Sequence, residues 1–260
     1  MSRPQIIDEL IAIVGSDGVF HQPSDLIVYE YDGSVEGAVD IARPVAVVLP
    51  TTTEQVSRVV QLARRSGLPV TPRGAGTGLS GGAVAQAGGI VIGLSRMDRI
   101  IEVDPIDRTA LVEPGVINLE LSEFTASSGL FFAPDPSSQR ACTIGGNVAE
   151  NSGGPHCLKY GVTTNHVLGL EVVLPDGRIA WVGGGAPGMA RYDLTAALVG
   201  SEGLLGIVTK ALVRLLPTPE AITVQLAAFP DMELASVAVS RIIGAGIIPA
   251  ALEMMDALTI

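Results

Sequence analysis

Apolar residues at Ile6, Ile7, Leu10, Ile11 and Val14 recur every three or four positions, which predicts a helix over residues 5–14 with Gly15 as its stop. Residues 20–45 carry no period and read as an irregular arm packed over a domain. The apolar run 46–50 predicts a strand. Thr51 and Thr52, three residues ahead of Glu54 and Gln55, give a capping pattern for a helix whose apolar face is Val56, Val59, Val60, Leu62 and Ala63 and whose end is Gly67. Strands follow at 68–71 and 90–94, then a hairpin from 100–104 and 109–113. Asn118 is placed to cap a helix ending at Gly129. A second hairpin pairs 169–174 with 178–182 around Pro175-Asp176-Gly177, and a short helix near 194–199 leads to a strand over 207–215. After the linker-like Pro217-Thr218-Pro219, a strand (223–229), a helix (232–245) and a strand (250–255) read as a βαβ-like start to a further domain, unfinished at Ile260.

Between these elements lie three glycine-rich segments: Pro72 to Gly82, Thr143 to Gly154 and Gly200 to Gly206. Backbone without Cβ atoms can turn its N–H groups into a concave nest for an anion such as a pyrophosphate, with Arg73, Thr77 and Ser80 as further donors. The first segment is not the dinucleotide fingerprint, since its spacing does not give G-x-G-x-x-G and a strand rather than a helix follows; no Gly-Lys-Ser/Thr closes it as a phosphate loop. Three such clusters among ordinary strands and helices suggest several loops meeting on one extended ligand.

The 260 residues suffice for a substantial core, and 47% apolar against 17% charged argues against disorder. A net charge of −11 argues against a nucleic-acid partner. Cys142 and Cys157 make no disulfide framework and no zinc or iron–sulfur spacing, so a reduced thiol pair and a cytoplasmic location are expected. With Asp8 and Glu9 in the first helix there is no secretory signal, and no apolar run is long enough for a membrane span.

The loop Pro72 to Gly82, the segment Pro134-Asp135-Pro136-Ser137-Ser138 with Thr143 to Asn147, the run Asn151 to Gly161, and Gly200 to Thr209 together resemble the FAD-linked oxidases of the vanillyl-alcohol-oxidase/PCMH type, in particular the group that holds a bacterial glycolate oxidase chain and the D-lactate and D-2-hydroxyglutarate dehydrogenases. The four motifs stand in the family's order over about residues 40–256. The resemblance implies an α+β fold: an N-terminal helix and arm (1–40), a two-part FAD-binding domain (41–217) and the opening of a substrate-binding cap (218–260).

It implies that residues 73–79 (Arg73, Gly74, Ala75, Gly76, Thr77, Gly78, Leu79) hold the pyrophosphate through backbone amides. Pro134, Asp135, Ser137, Thr143, Gly145, Gly146, Asn147, Ala149, Asn151 and Gly153 would line the flavin and its chain, and Glu202, Gly203, Gly206 and Ile207 would lie towards the adenine end. It also implies oxidation of a D-2-hydroxy acid such as glycolate or D-lactate by hydride transfer to the flavin, with partners that include other glycolate oxidase subunits, an iron–sulfur subunit among them, or a second copy. Such partners would place the protein at the periphery of the inner membrane.

Two departures qualify the pattern. Members with covalent flavin carry a histidine in the first glycine loop, where this chain has Arg73-Gly74-Ala75-Gly76, so FAD is expected to be non-covalent. The family's metal-binding histidines, substrate-binding arginine and base fall beyond residue 260 of the pattern, so no metal ligands are expected here. Of the three histidines, His21 reads as a surface residue of the arm, His166 as structural, and His156 as the one candidate for a place near the flavin, with Lys159 and Arg73 as candidate anion contacts. Two alternatives stand: a non-catalytic FAD-binding module that needs a partner chain, and a reductase of the UDP-N-acetylenolpyruvoylglucosamine type, which the Pro134 to Asn147 stretch fits less well.

Overall fold

The computed structural model describes residues 1–34, 43–85, 88–184, 192–256 and 258–259. Helix α1 (Arg3–Val14) buries Ile6, Ile7, Leu10, Ile13 and Val14, with Ile13 taking the place expected for the partly covered Ile11. The arm is less irregular than its sequence suggests. It holds a short strand β1 (Val19–Phe20), a single turn α2 (Pro23–Leu26) and a 3₁₀ turn (Ile27–Tyr29), and it is fastened by Leu26, Glu30 and Asp32, all under a tenth exposed. The remainder of the arm, residues 35–42, lies outside the described residues.

Strand β2 (Ala46–Val48), helix α3 (Thr53–Ser66), strand β3 (Val70–Arg73) and strand β4 (Ile90–Gly93) complete the first half. The expected cap forms: the Thr52 hydroxyl accepts the Gln55 N–H at 3.3 Å, the Gln55 side chain accepts the Thr51 N–H at 2.7 Å, and Gly67 closes the helix at φ +67°. The sheet order is β1-β2-β4-β3, parallel except for β1. Strands β2 and β4 are buried throughout, which is why they read as unbroken apolar runs. One face packs under α1 and α3, and Leu26 and Ala85 cover Val47 and Val91 on the other. Removing each such side chain from water contributes ~1.5–3 kcal/mol.

The second half starts with the predicted hairpin β5 (Ile100–Asp104) and β6 (Thr109–Val112), followed by α4 (Asn118–Thr125), β7 (Leu130–Phe131), α5 (Ile144–Glu150) and a single turn α6 (Cys157–Tyr160). Then come β8 (Val167–Val173), β9 (Ile179–Gly183), α7 (Leu194–Leu198), β10 (Ile207–Arg214) and β11 (Leu216–Pro217). An antiparallel sheet runs β5-β6-β10-β8-β9. Its inward residues, such as Val112, Leu170, Val172, Ala211 and Val213, share a core with Leu121, Ile144 and Val148 of α4 and α5. The halves are joined by α3, whose Thr53 hydroxyl donates to Glu171 Oε1 at 2.7 Å and whose Ser57 hydroxyl donates to the Gly177 carbonyl at 2.5 Å.

Three expectations fail. Asn118 is not the cap: Ile117 holds that position, and the Asn118 amide, 1% exposed, donates instead to the Pro134 carbonyl at 2.9 Å. The stretch after Thr143, read as glycine-rich loop, is the helix α5, because Thr143 caps it by accepting the Gly146 N–H and the two glycines fall in its first turn, where tertiary packing outweighs propensity. Beyond residue 218 the helix forms as α8 (Met232–Gly244), but 223–229 and 250–255 carry no strand. An extended segment needs a neighbour for its N–H and C=O groups, and here Val224 and Leu226 stand 87% and 94% exposed. Among the described residues no helix is long and apolar enough to cross a membrane.

Candidate cofactor cleft

The three glycine-rich segments converge because each touches the next where only a bare backbone fits. A Cβ on Gly74 would stand 2.6 Å from the Thr143 hydroxyl, and one on Gly203 would run into the Pro72 ring. The third segment hangs from the end of α5, with the Gly200 and Glu202 N–H groups donating to the Val148 and Ala149 carbonyls at 2.8 and 3.0 Å. Gly145 lies against Pro114, whose carbonyl accepts its N–H at 2.8 Å. Between these segments runs a cleft.

Of the residues expected in a cofactor site, Arg73, Gly74, Ala75, Gly76, Thr77, Gly78, Thr143, Gly145, Gly146, Asn147, Ala149, Glu202, Gly203, Gly206 and Ile207 line this one cleft. Leu79, Pro134, Asp135, Ser137, Asn151 and Gly153 are not part of the lining. Leu79 is 79% exposed and packs on Gly33; the Asn151 carbonyl oxygen of the side chain accepts the Thr164 N–H at 2.9 Å and its backbone, at φ +50°, ends α5. Asp135 Oδ2 lies 2.5 Å from His156 Nδ1, while Gly153 packs on Cys157 and Gly154 on Asp135. His156 therefore faces Asp135 beside the cleft, Lys159 lies over the Tyr160 ring, and His166 is buried with one ring nitrogen on the Tyr160 carbonyl at 2.9 Å. Burial first, and then Arg214, hold His166 below the ordinary histidine range against the opposing pull of its hydrogen bond to the Tyr160 carbonyl.

The Arg73 side chain, a candidate anion contact, is engaged by backbone carbonyls. Its guanidinium donates to the Tyr31 carbonyl at 2.8 Å, the Ala83 carbonyl at 3.1 Å and the Val28 carbonyl at 3.4 Å, with its centre 5.6 Å from the Tyr29 ring. Ser80 likewise donates to Glu150 at 3.4 Å rather than standing free for an anion.

Sequence reasoning passed over Glu150, Ser152, Ser201, Pro114 and Cys142, which also line the cleft. Glu150 is the informative one: it and Glu202 both reach Gly82, whose Cβ position is 3.4 and 2.8 Å from their oxygens. Burial first, and then the Glu202 charge, push the Glu150 carboxylate above its ordinary value. A carboxylate in a glycine-rich run is not what an anion site would suggest, and only the fold brings the pair together. Asn147 is 1% exposed, and neither its amide nitrogen nor its oxygen has a hydrogen-bond partner. A second chamber adjoins the cleft through Pro72, Glu202, Gly203 and Ile207; Val60, Val70, Val84, Val173 and Leu174 wall it, with Arg64 among them. Among the described residues no group of His, Cys, Asp and Glu could hold a metal ion.

Comparison with known proteins supplies the rest. Residues 44–183, more than half of the chain, match the FAD binding domain family, and residues 218–260 match the C-terminal domain of FAD linked oxidases. The chain is 47% identical over 242 residues to glycolate oxidase subunit GlcD of Escherichia coli K12, covering 93% of this chain and 48% of that protein. It is 42% identical over 252 residues to D-lactate dehydrogenase of Archaeoglobus fulgidus, covering 96% and 55%. It thus spans about half the length of these curated relatives. Among solved structures, an alkyldihydroxyacetonephosphate synthase superposes with a TM-score of 0.83 at 25% identity, over 96% of this chain and 47% of that one. With the α+β architecture, the two matching family models and these relatives in agreement, the chain belongs to the FAD-linked oxidases with a PCMH-type FAD-binding domain.

Proposed function

We propose that the cleft holds FAD non-covalently and that the chain is the cofactor-bearing part of an oxidoreductase acting on a D-2-hydroxy acid such as glycolate or D-lactate. The observation that carries this reading is the convergence of three separate glycine segments on one cleft. The residues present suit the group. Backbone N–H groups of 74–78 can face a pyrophosphate, the unsatisfied Asn147 amide offers a donor and an acceptor, and the valines that wall the adjoining chamber can pack on an adenine ring, with Glu202 at the junction and Glu150 in the cleft for ribose hydroxyls. When bound, FAD would supply the acceptor for a hydride from the substrate carbon; the chain's own share is orientation and electrostatics. The first glycine loop, where covalently flavinylated relatives carry a histidine, has none here, which supports a non-covalent site.

Titrating the purified chain with FAD tests this. The expected product is a yellow protein that releases free FAD on acid precipitation, and a colourless protein with no FAD affinity overturns the proposal. A second reading, a FAD-binding module whose activity needs further protein, is favoured by residues 218–256, where α8 buries none of its side chains. Turnover of glycolate or D-lactate with an artificial electron acceptor by this chain alone would remove that second reading.

A further inference from the structure

We infer that residues 28–34 of the arm form a latch that holds the first glycine loop in its binding shape through Arg73, so that cofactor affinity is set partly by residues that do not line the cleft. The inference rests on the reading that FAD occupies the cleft. Arg73 Nη1 reaches the Tyr31 carbonyl at 2.8 Å and the Ala83 carbonyl at 3.1 Å, so one guanidinium ties the start of the loop, its far end and the arm together. A third hydrogen bond reaches the Val28 carbonyl, and Tyr29 supplies a ring face to the cation. The buried cation is balanced by Asp32, itself 8% exposed and held by the backbone and hydroxyl of Ser34 at 2.8 and 2.6 Å.

The loop is shaped around this strut. Gly76, at φ +71°, folds over the guanidinium so closely that a Cβ would collide with it. On the arm side, a Cβ on Gly33 would come within 2.9 Å of the Gly78 carbonyl and 3.0 Å of the Thr77 carbonyl. The arm therefore backs the loop at its middle as well as at both ends. None of residues 28–34 is in the cleft lining. An ordered loop presents its N–H groups without further loss of entropy, whereas a loop released from the latch must be ordered by the ligand.

The test compares Arg73→Lys, Tyr29→Leu and Gly33→Ala with the unaltered chain, reading FAD affinity by titration, cleavage within 28–34 and 74–83 by limited proteolysis, and the thermal midpoint by circular dichroism. Lysine keeps the charge but cannot bridge several carbonyls at once. Each variant is expected to weaken FAD at least about tenfold, the size of one or two lost charge-assisted hydrogen bonds. Arg73→Lys with Tyr29→Leu should cost less than the sum of the two alone, and FAD should slow cleavage of the arm. If Tyr29→Leu and Gly33→Ala leave FAD affinity unchanged while Arg73→Lys abolishes it, Arg73 is a direct phosphate ligand and the latch is overturned. Should the unaltered chain bind no FAD, the cofactor reading falls, yet cleavage rising together in arm and loop of Arg73→Lys still upholds the coupling, and unchanged cleavage defeats it.

Discussion

At the scale of single residues, the cleft depends on backbone approaching backbone. Gly74→Ala would drive a methyl group to 2.6 Å from the Thr143 hydroxyl, the same atom that caps α5, so both the loop and the helix start must give. FAD titration should show affinity lowered at least about tenfold, since overpacking at a fixed site costs ~1–3 kcal/mol. Glu150 carries a pH dependence of definite sign. Its carboxylate sits above the ordinary 4.5 because of burial and then Glu202, so it favours the folded state below that value and loses this contribution as pH rises through its folded value. An anionic cofactor nearby would feel the same charge. FAD should bind more tightly as pH falls from neutral towards that range, and Glu150→Gln should bind more tightly at neutral pH with a flatter profile; an unchanged profile would separate Glu150 from the cofactor. Asn118 shows what a residue pattern cannot reveal: an asparagine before an apolar run suits a cap, but here it buries its amide against the Pro134 carbonyl, a partner 16 positions away.

At the scale of elements, α5 and the α3 joint decide how the halves meet. Thr143→Ala removes the acceptor for the Gly146 N–H and should lower stability in a denaturant melt by ~1 kcal/mol, within the usual range for a helix cap. At the joint, burial would push Glu171 up, but hydrogen bonds from Thr53, Lys210 and Thr209 and the Lys210 charge outweigh it and hold the group below its ordinary 4.5. Its contribution to stability is therefore present above that value and lost as pH falls through the lower folded value. Glu171→Gln should cost ~1–2 kcal/mol near neutral pH and shrink the difference from the unaltered chain in acid, read from urea melts at several pH values. The hairpins and α3 were legible in sequence because their turns, caps and periods are local. Helix α5 was not: seven residues with two glycines have no helical signal of their own and are helical because Ile144 and Val148 enter the second core.

At the scale of the whole molecule, the glycine segments are far apart in the chain and close in space only because a mainly parallel sheet and an antiparallel sheet are joined through α3, Val173 and Ile207. A ligand bound across that joint stabilises both halves together, so saturating FAD should raise the thermal midpoint, by ~3 kcal/mol of stability at a hundredfold excess over Kd. The sequence by itself determined the sheet strands other than β1, β7 and β11, the caps of α3 and the positions of the three glycine segments, since these follow from period, capping and the absence of Cβ atoms within short windows. Only the tertiary structure decided that the Arg73 guanidinium binds carbonyls of the arm, that Glu150 meets Glu202 across Gly82, and that 223–229 and 250–255 form no strands. Each of these depends on partners distant in sequence: carbonyls that claim a guanidinium, a second carboxylate, or a neighbouring strand to satisfy exposed backbone.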